Sequence, residues 1–276
     1  MKISVIAPVK NEVNFIGYSI MAVLPQIHEI IYALAPSMDG TDELLDHIRE
    51  KYASEKLILL RKPEYDFQTD DMRAYNEAFN DCIDKATGDA VWFLHPDMIV
   101  RNPEAIGEIK DGAMAYWTNL ESYARDFKTR IVRGRANRWK NIHLRKLGLH
   151  YYGRYGSQNE DFYHHHITGL SHHHHGEDFR PYPFEIANSG IQVNHYCELK
   201  DYKRRFEKMK ACLKNLYPGW EEGRIEEMAS KHPRVTLEDS IGEFGIFEFK
   251  ISDLPIPKVF AEFASEFDAF KKVGVA

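Results

Sequence analysis

Ala90-Val-Trp-Phe-Leu-His-Pro-Asp97 is the stretch that decides how the rest of this sequence is interpreted. Its first five residues form a short apolar run after the turn signal Thr87-Gly88-Asp89, a pattern typical of a buried strand. The run ends in His95 and Asp97, two potential metal ligands. Because ligands of open α/β sheets bind just beyond the carboxyl ends of strands, these side chains could hold a metal ion and, through it, an anionic substrate. The alternative is a strand followed by an ordinary proline turn.

The first hundred residues alternate between strand and helix patterns. Short apolar or β-branched runs typical of strands occupy residues 3–7, 29–34, 57–60 and 90–94. Apolar residues at helical spacing occupy residues 13–24, 41–48 after a predicted cap at Thr41, and 72–85. This alternation predicts an α/β fold with a mostly parallel central sheet and helices on both faces.

The sequence beyond residue 100 is less regular. Further strands are predicted at residues 113–117, 129–132 and 244–251, and further helices at residues 201–216, 221–231 and 255–272. Residues 134–190 are rich in Gly, His, Tyr and Arg and show little periodicity. Such a segment is too long for an inert loop in a compact domain, so we expect it to be functional or partly mobile.

Composition argues against several classes of function. A formal net charge of −6 disfavours a broad nucleic-acid-binding face, so no nucleic-acid partner is expected. The three cysteines are far apart and include no CxxC pair, which favours a reducing compartment without disulfides. The N-terminus lacks the apolar core of a signal peptide, and no apolar run reaches the roughly 20 residues of a membrane span. We therefore expect a cytoplasmic protein without an integral membrane segment.

Several segments match, in order and spacing, the motifs of a known family. They are Ser4-Val-Ile-Ala-Pro-Val-Lys-Asn-Glu12, residues 15–24 with 29–31, Ser37-Met-Asp-Gly-Thr41, residues 73–76 with 86–89, and Leu94-His-Pro-Asp97. The chain thus resembles the family 2 glycosyltransferases, which have the GT-A fold, most clearly over residues 1–100. The resemblance continues to His195-Tyr196, which looks like the His-Tyr that follows the catalytic region in some members.

This resemblance implies a domain organisation and an activity. Residues 1–200 would form a GT-A domain, with a nucleotide-sugar-binding half at 1–100 and an acceptor half at 101–200. Residues 201–276 would form a mainly helical extension that covers the acceptor side or mediates homo-oligomer formation. The implied enzyme is an inverting hexosyltransferase, which moves a sugar from a nucleoside diphosphate sugar to an acceptor hydroxyl by metal-assisted direct displacement. The acceptor would be a saccharide, a lipid-linked glycan or a protein.

Three side chains are candidate ligands for a divalent metal ion. Asp97 matches the last Asp of the family's Asp-x-Asp motif, which is the usual direct ligand. His95 replaces the first Asp of that motif, and His195 is a more distant candidate. Carboxylate oxygens suit Mn²⁺ or Mg²⁺, and imidazole tolerates Mn²⁺ better than Mg²⁺. The alternatives are a turn-capping role for Asp97 and ordinary surface or packing roles for the histidines.

The nucleotide-sugar pocket is expected around the loops that follow the first two strands and at the helix near residue 73. The residues assigned to it are Pro8, Val9, Lys10, Asn11, Glu12, Asp39, Arg73 and His95. The alternatives are a strand-to-helix cap made by Asn11 or Asn14, an Asp-Gly turn at Asp39 and a solvated helix face at Arg73. The acid that the family usually has at the end of the second strand is absent, since the segment there is Tyr32-Ala-Leu-Ala-Pro36.

The catalytic base is expected in the irregular segment. An inverting transfer needs one carboxylate within hydrogen-bond reach of the acceptor oxygen. The acidic pairs in this segment are Glu160-Asp161 and Glu177-Asp178. The first resembles the Glu-Asp pair that carries the base in many family members, so Asp161 is the first candidate and Asp178 the second.

Two histidine clusters, His164-His-His166 and His172-His-His-His175, hold seven of the fourteen histidines. Such tracts can bind Ni²⁺, Zn²⁺ or Cu²⁺, although no cysteine lies near them in sequence to complete a structural zinc site. Three interpretations stay open. The segment is a flexible polar acceptor loop with fortuitous chelation, a dedicated metal site or a pH-responsive loop.

Two other functions remain as alternatives. A nucleotidyltransferase generally has a Gly-rich, basic loop after its first strand, which residues 8–12 lack. A non-catalytic member of the fold would bind a glycan, a nucleotide or a partner, and its altered acidic positions would mark lost activity.

Overall fold

A computed structural model describes most of the chain. The described residues are 1–65, 73–110, 112–133, 138–145, 151–153, 165–167, 186–199, 202–217, 219–242 and 245–271. The strands within them are β1 Ile3–Val9, β2 Glu29–Leu34, β3 Leu57–Arg61, β4 Ala90–Phe93, β5 Met98–Val100, β6 Ala115–Ala124, β7 Thr129–Arg133, β8 Arg138–Leu144, β9 Tyr151–Gly153, β10 His165–Ile167, β11 Ile186–Glu198, β12 Ser240–Gly242 and β13 Gly245–Ile251. The helices are α1 Ile16–Val23, α2 Thr41–Tyr52, α3 Arg73–Lys85, α4 Glu104–Gly107, α5 Tyr202–Leu216, α6 Glu222–Lys231, α7 Pro233–Thr236 and α8 Lys258–Phe267, and a single 3₁₀ turn, Asp268–Phe270, follows α8.

Four parallel strands form the centre of the main sheet, in the order β3-β2-β1-β4. Beyond β4, the strands β8, β6 and β7 continue the sheet with antiparallel pairing, and the β12–β13 hairpin joins it through β7. Strand β11 pairs in parallel with β6 and antiparallel with β5. The predicted α/β fold with helices around a parallel sheet centre is confirmed.

Hydrophobic side chains cover both faces of the parallel strands. On one face, Leu44 and Ile48 of α2 belong to a large buried cluster that also includes residues of α1 and α8. On the other face, Phe79 and Cys82 of α3 pack into a second cluster with Ile6 of β1. Burial on both sides explains why these strands read as continuous apolar runs rather than as alternating patterns.

The predicted boundaries are close to the observed ones, with two differences in the first half. Helix α1 begins at Ile16, later than predicted, because the backbone φ of Phe15 is −130°, outside the helical region. The amides of Phe15 and Ile16 both donate to the carbonyl oxygen of Glu12 just before it (3.1 and 3.0 Å). The predicted cap at Thr41 is wrong, because Gly40 occupies the N-cap position and Thr41 is the first helical residue. The later predictions at 129–132, 201–216, 221–231 and 244–251 correspond to β7, α5, α6 and β13.

The irregular segment contains strands that the sequence pattern did not reveal. Strands β8, β9 and β10 and the start of β11 all lie within residues 134–190. In β8, the polar Asn141 and His143 are buried like their apolar neighbours Ile142 and Leu144. Polar and apolar residues alternate here, but both sets are buried, so the polar side chains do not mark a solvent-exposed face of the strand.

The C-terminal helix α8 packs against α1 through aromatic side chains. Phe267 lies so close to Gly17 that a Cβ added at this glycine would be 2.6 Å from the phenylalanine ring. The ring of Tyr18 lies 4.5 Å from that of Phe260 and 5.3 Å from that of Phe267, centroid to centroid. The end of the chain is thus part of the same hydrophobic cluster as the first helix.

Glu266 ties α8 to α2. Its carboxylate accepts hydrogen bonds from Nε2 of His47 (2.5 Å), Nζ of Lys51 (3.0 Å) and the hydroxyl of Tyr52 (2.8 Å). The bond from His47, and then those from Lys51 and Tyr52, lower the pKa of the Glu266 carboxyl to about 2 against the opposing effect of desolvation.

The helices α5, α6 and α7 form a smaller unit with its own core. Leu213, Ile225 and Ala229 are buried there against partly buried aromatic and methionine side chains. Within the described stretches, none of the helices combines the length and the apolar character needed to cross a lipid bilayer.

Glu29 lies at the amino-terminal edge of the sheet and is 6% exposed. Its Oε1 accepts hydrogen bonds from the hydroxyl of Ser4 (2.7 Å) and from the amide and hydroxyl of Thr87 (2.6 and 2.9 Å). Desolvation raises the pKa of this carboxyl, but the hydrogen bonds from Thr87 and Ser4 outweigh it and lower the pKa below 4.5.

Glu29→Gln tests this buried carboxylate. The folded-state pKa lies below the unfolded value, so the charge stabilises the fold above the unfolded pKa and this contribution is lost as the pH falls through the folded pKa. We expect the variant to lose about 1–2 kcal/mol of unfolding free energy at pH 7. The difference from wild type should shrink below about pH 4 in urea denaturation curves. An equal difference at pH 7 and pH 3 would contradict the assignment.

Candidate functional site

Three parallel strands end at the same edge of the sheet and bring the predicted site loops together. In the ladders, Ile6 of β1 lies beside Phe93 of β4, and Val9 of β1 lies beside Leu34 of β2. Three segments therefore leave the sheet at one edge. They are the β1 loop (residues 8–12), the β2 turn (residues 37–41) and the β4 turn (residues 95–97). This carboxyl edge is where α/β sheets bind ligands.

The β1 loop and the β2 turn are held together by hydrogen bonds. The amide of Asn11 donates to Oγ of Ser37 (3.0 Å), and the amide of Glu12 donates to Oγ1 of Thr41 (2.8 Å). In the opposite direction, the amide of Met38 donates to Oδ1 of Asn11 (2.9 Å). These reciprocal bonds make the two segments one unit. Sequence reasoning did not assign Ser37 or Thr41 to the pocket, although both belong to the Ser-x-Asp-Gly-Thr pattern.

Asn11 does not cap helix α1. Its backbone φ is 53°, in the left-handed region that asparagine tolerates better than most residues, and its side chain faces the β2 turn through the bond to Met38. The alternative cap, Asn14, is exposed. Of the other predicted pocket residues, Pro8 and Val9 are buried, whereas Lys10 and Glu12 are partly exposed at the edge.

Asp39 uses both carboxylate oxygens to build the turn. Oδ2 accepts from the amide of Val13 (3.2 Å), and Oδ1 accepts from the amide and the hydroxyl of Thr41 (3.0 and 2.5 Å). The residue is 6% exposed. This geometry gives Asp39 the turn-forming role that was its alternative in the sequence, and contact with a ribose or base stays a prediction.

Asp97 and His195, which are almost one hundred residues apart in sequence, meet in the fold. Nε2 of His195 lies 3.4 Å from Oδ1 of Asp97, and the two side chains are 15% and 7% exposed. The antiparallel pairing of β11 with β5 places His195 opposite Met98, directly after Asp97. The amide of Tyr196 also donates to the carbonyl oxygen of Asp97 (2.9 Å), which fixes the backbone of this pair.

His95 lies at the β4 turn, on the side covered by α3. Its ring contacts the ring of Phe79 edge-on, with 6.4 Å between the centroids, and the residue is partly exposed. Within the described part of the chain, no group of three His, Cys, Asp or Glu side chains comes close enough to hold a metal ion. The structure thus brings Asp97 and His195 together, and a metal-ligand role for His95 stays a prediction.

One buried carboxylate and one imidazole fit a divalent ion that shares its coordination with a substrate. Mg²⁺ and Mn²⁺ at phosphate-transfer sites are typically held by one or two protein side chains together with phosphate oxygens. The imidazole of His195 makes the pair better suited to Mn²⁺ than to Mg²⁺. Asp97 and His195 would therefore hold a divalent ion of this kind.

The backbone at Asp97 is supported by an aromatic cluster around Tyr196. The Tyr196 ring stacks on Phe15 at 5.6 Å and contacts Phe127 and Phe260, both at 5.5 Å. Burial raises the pKa of the Tyr196 hydroxyl well above its usual value, so the group stays neutral. Phe15 directly precedes α1 and Phe260 belongs to α8, so the aromatic cluster connects both helices to the backbone at Asp97.

Several predicted residues fall outside the described part of the chain. These are Asp161, Asp178, His164 and the histidines at 172–175. For Arg73, the predicted diphosphate contact, only the backbone is described, at the start of α3. For His165 and His166 only the backbone is described as well, in β10. Their proposed roles stay predictions.

Comparison with known proteins identifies the class. Residues 4–179 match the profile of the family described as glycosyl transferase family 2, which is more than half of the chain. The protein therefore belongs to glycosyl transferase family 2, and its fold is the GT-A fold of that family. A search of curated protein sequences found no significant match.

Among solved structures, this chain is similar to several glycosyltransferases at low identity. Residues 1–349 of TarS from S. aureus match with 14% identity and a TM-score of 0.45, over 86% of this chain and 71% of that one. The mannosyltransferase PcManGT from Pyrobaculum calidifontis, in complex with GDP-Man and Mn²⁺, matches with 18% identity and a TM-score of 0.38, over 53% and 45%. Glucosyl-3-phosphoglycerate synthase from Mycobacterium tuberculosis, in complex with Mn²⁺ and UDP-Glc, matches with 19% identity and a TM-score of 0.33, over 44% of each chain.

Gly40 in the β2 turn is a position where a side chain would not fit. Its φ is 101°, and a Cβ there would overlap the carbonyl oxygen of Phe270 in the 3₁₀ turn after α8. Gly190 also has a positive φ, 75°, but a Cβ there would meet nothing within 4 Å. A side chain at Gly190 would meet only the cost of the positive φ, whereas a side chain at Gly40 would meet that cost and also the contact with the C-terminal segment.

Gly40→Ala should therefore destabilise the protein more than Gly190→Ala. We expect about 1 kcal/mol for Gly190→Ala from backbone strain alone, and roughly 2 kcal/mol more for Gly40→Ala, because the 3₁₀ turn must move. Urea denaturation of both variants measures the difference. Equal losses would show that the contact between the β2 turn and Phe270 contributes nothing.

Proposed function

We propose that this protein transfers a sugar from a nucleoside diphosphate sugar to an acceptor hydroxyl, with inversion and with the help of a divalent metal ion. The observation that carries the proposal is the buried Asp97–His195 pair at the carboxyl edge of the sheet. The pair lies at the same edge of the sheet as the cross-linked β1 loop and β2 turn, and we assign it to the diphosphate.

The described residues divide into two roles. The β1 loop and the β2 turn form a rigid edge that would receive the nucleotide, with the partly exposed Lys10, Asn11 and Glu12 as its surface. Asp97 and His195 would hold the metal ion at the diphosphate. A bound Mn²⁺ or Mg²⁺ would supply neutralisation of the charge that develops on the diphosphate as it leaves.

The transfer itself requires a base on the acceptor side. In a direct displacement, the acceptor oxygen forms a bond to the anomeric carbon while the bond from that carbon to the diphosphate breaks, and the acceptor proton passes to a carboxylate. We assign this carboxylate to Asp161, with Asp178 as the second candidate. The support for this assignment is the resemblance of Glu160-Asp161 to the family's Glu-Asp pair.

The donor nucleotide must be recognised without an acid at the end of β2. That strand ends at Leu34 and continues into Ala35 and Pro36, and the amide of Ala35 donates to the carbonyl oxygen of Val9 (3.0 Å). No acid at this position selects the nucleotide, so the experiment that tests the function screens UDP-, GDP-, ADP-, CDP- and dTDP-sugars together.

A thermal-shift screen of these nucleotide sugars, with and without Mn²⁺, tests the function. A ligand at 100 times its Kd adds about 2.7 kcal/mol of stability, which corresponds to a rise in Tm of roughly 5–10 °C for a domain of this size. We expect at least one nucleotide sugar to give this rise with Mn²⁺ and a smaller rise without it. Asp97→Asn should remove the Mn²⁺-dependent part.

The matched control is Asp89→Asn. Asp89 is a carboxylate at the opposite edge of the sheet, where it accepts from the amide of Lys2 (2.7 Å), and this variant should keep the full Mn²⁺-dependent shift. Stabilisation by a nucleotide sugar without any turnover would favour a non-catalytic binding protein. No stabilisation by any nucleotide sugar would overturn the proposal.

Asp161→Asn tests the assignment of the base. Because the amide cannot accept the acceptor proton, we expect kcat to fall by about 10²–10⁴-fold. The Mn²⁺-dependent stabilisation by the donor should remain, since Asp161 is not assigned to donor binding. Steady-state kinetics on Asp161→Asn and Asp178→Asn decide between the two carboxylates, and an Asp161 variant with wild-type kcat would exclude it.

A further inference from the structure

A buried polar pair lies directly behind the β4 turn and is not part of the site described above. Asn141 of β8 is 1% exposed, and Thr118 of β6 is fully buried. The amide Nδ2 of Asn141 donates to the carbonyl oxygen of Phe93 (3.2 Å), and its Oδ1 accepts from Oγ1 of Thr118 (3.1 Å). Phe93 is the last residue of β4, two positions before His95.

The Asn141 side chain stands where the ladder between β4 and β8 stops. The register of this antiparallel pair runs from Ala90 opposite Leu144 to Trp92 opposite Ile142. The next residues in the register, Phe93 and Asn141, are joined by the asparagine side chain. The last carbonyl oxygen of β4 is thus bound by a side chain at the point where the chain turns away toward Asp97.

Other bonds fix the far side of the same turn. The amide of Met98 donates to the carbonyl oxygen of His95 (3.0 Å), and the amide of Tyr196 donates to that of Asp97 (2.9 Å). The hydroxyl of Ser19 donates to the carbonyl oxygen of Met98 (2.7 Å). The exit of the turn is therefore held by α1 and β11, and its entry is held by Asn141.

We propose that Asn141, oriented by Thr118, is a positioning residue that sets the path of the β4 turn and thereby the place of Asp97. Asn141 itself would touch neither the metal ion nor the sugar donor. The carbonyl oxygen of Phe93 can only accept, so it selects Nδ2, and the hydroxyl of Thr118 then donates to Oδ1 and holds the amide in this orientation. The part of this inference that concerns metal binding rests on the proposed function.

Loss of the Asn141 side chain should change the β4 turn more than the rest of the sheet. Leucine at position 141 keeps the size of the side chain but leaves the carbonyl oxygen of Phe93 and the hydroxyl of Thr118 buried without this partner. The β4 turn begins two residues after Phe93, beyond the end of the strand ladder. Local opening of the turn should therefore rise more than opening of the sheet as a whole.

Hydrogen–deuterium exchange of the whole protein tests the positioning directly. In Asn141→Leu, we expect peptides over residues 94–98 to exchange about five- to tenfold faster than in wild type, the equivalent of one lost hydrogen bond, with little change over β1. Thr118→Val, which removes the orienting hydroxyl and keeps the volume, should show a smaller increase at the same residues. It also serves as the milder variant if Asn141→Leu does not fold.

Ser4→Ala is the matched control. Its hydroxyl is also buried, donates to Glu29 (2.7 Å) and accepts from the amide of Gly88 (3.0 Å), but it lies at the opposite edge of the sheet. This variant should leave exchange over residues 94–98 unchanged. If Asn141→Leu and Ser4→Ala speed exchange uniformly over the sheet, Asn141 has a general structural role and the proposal is overturned.

Mn²⁺ binding is the second measurement. Free Mn²⁺ is followed by its electron paramagnetic resonance signal in parallel series that contain excess UDP, GDP, ADP, CDP or dTDP. We expect Asn141→Leu to weaken Mn²⁺ binding about fivefold and Ser4→Ala to leave it unchanged. If the wild type binds no Mn²⁺, the proposed function fails, while the exchange pattern still decides whether Asn141 holds the turn. Faster exchange with unchanged Mn²⁺ affinity would overturn the link to Asp97.

Discussion

The site depends on the parallel pairing of β1 with both β2 and β4. Because the three strands run in the same direction, their carboxyl ends meet at one edge, and the loops that follow them become neighbours. The pairing is maintained by burial on both faces, with α1, α2 and α8 on one side and α3 on the other. A parallel sheet is stable when both faces are covered, so the helices are a condition for the site as well as for the fold.

The loops at this edge are connected to distant parts of the chain. Main-chain amides of the β1 loop and the β2 turn bind side chains of the opposite segment, and the β4 turn is held by groups from α1, β8 and β11. The C-terminal segment closes against the back of the β2 turn at Gly40 and against α1 at Gly17. A glycosyltransferase must hold the diphosphate and the acceptor in a fixed geometry, and such supports limit the freedom of the loops that would do so.

The sequence predicted the parallel half well because its strands are apolar runs separated by helices and turn signals. It also singled out Asp97 and His195, but as separate candidates. It missed β8, which buries the polar Asn141 and His143 together with their apolar neighbours, and β5, which has three residues. It assigned a cap to Thr41, whose hydroxyl instead joins Asp39 to Glu12. Such bonds between separate segments leave no periodic signal in the residues around them.

The sequence by itself determined the α/β class, the positions of the first four strands along the chain and the residues that carry the family's motifs. Hydrophobic periodicity and turn chemistry are local properties, so they can be recognised without the tertiary structure. The tertiary structure decided that Asp97 meets His195, that Asp39 builds a turn, and that α8 packs against α1 and α2. These outcomes depend on strand order and on the register between β5 and β11. Pairing of segments far apart in sequence is settled by the packing of the whole sheet, which no local pattern encodes.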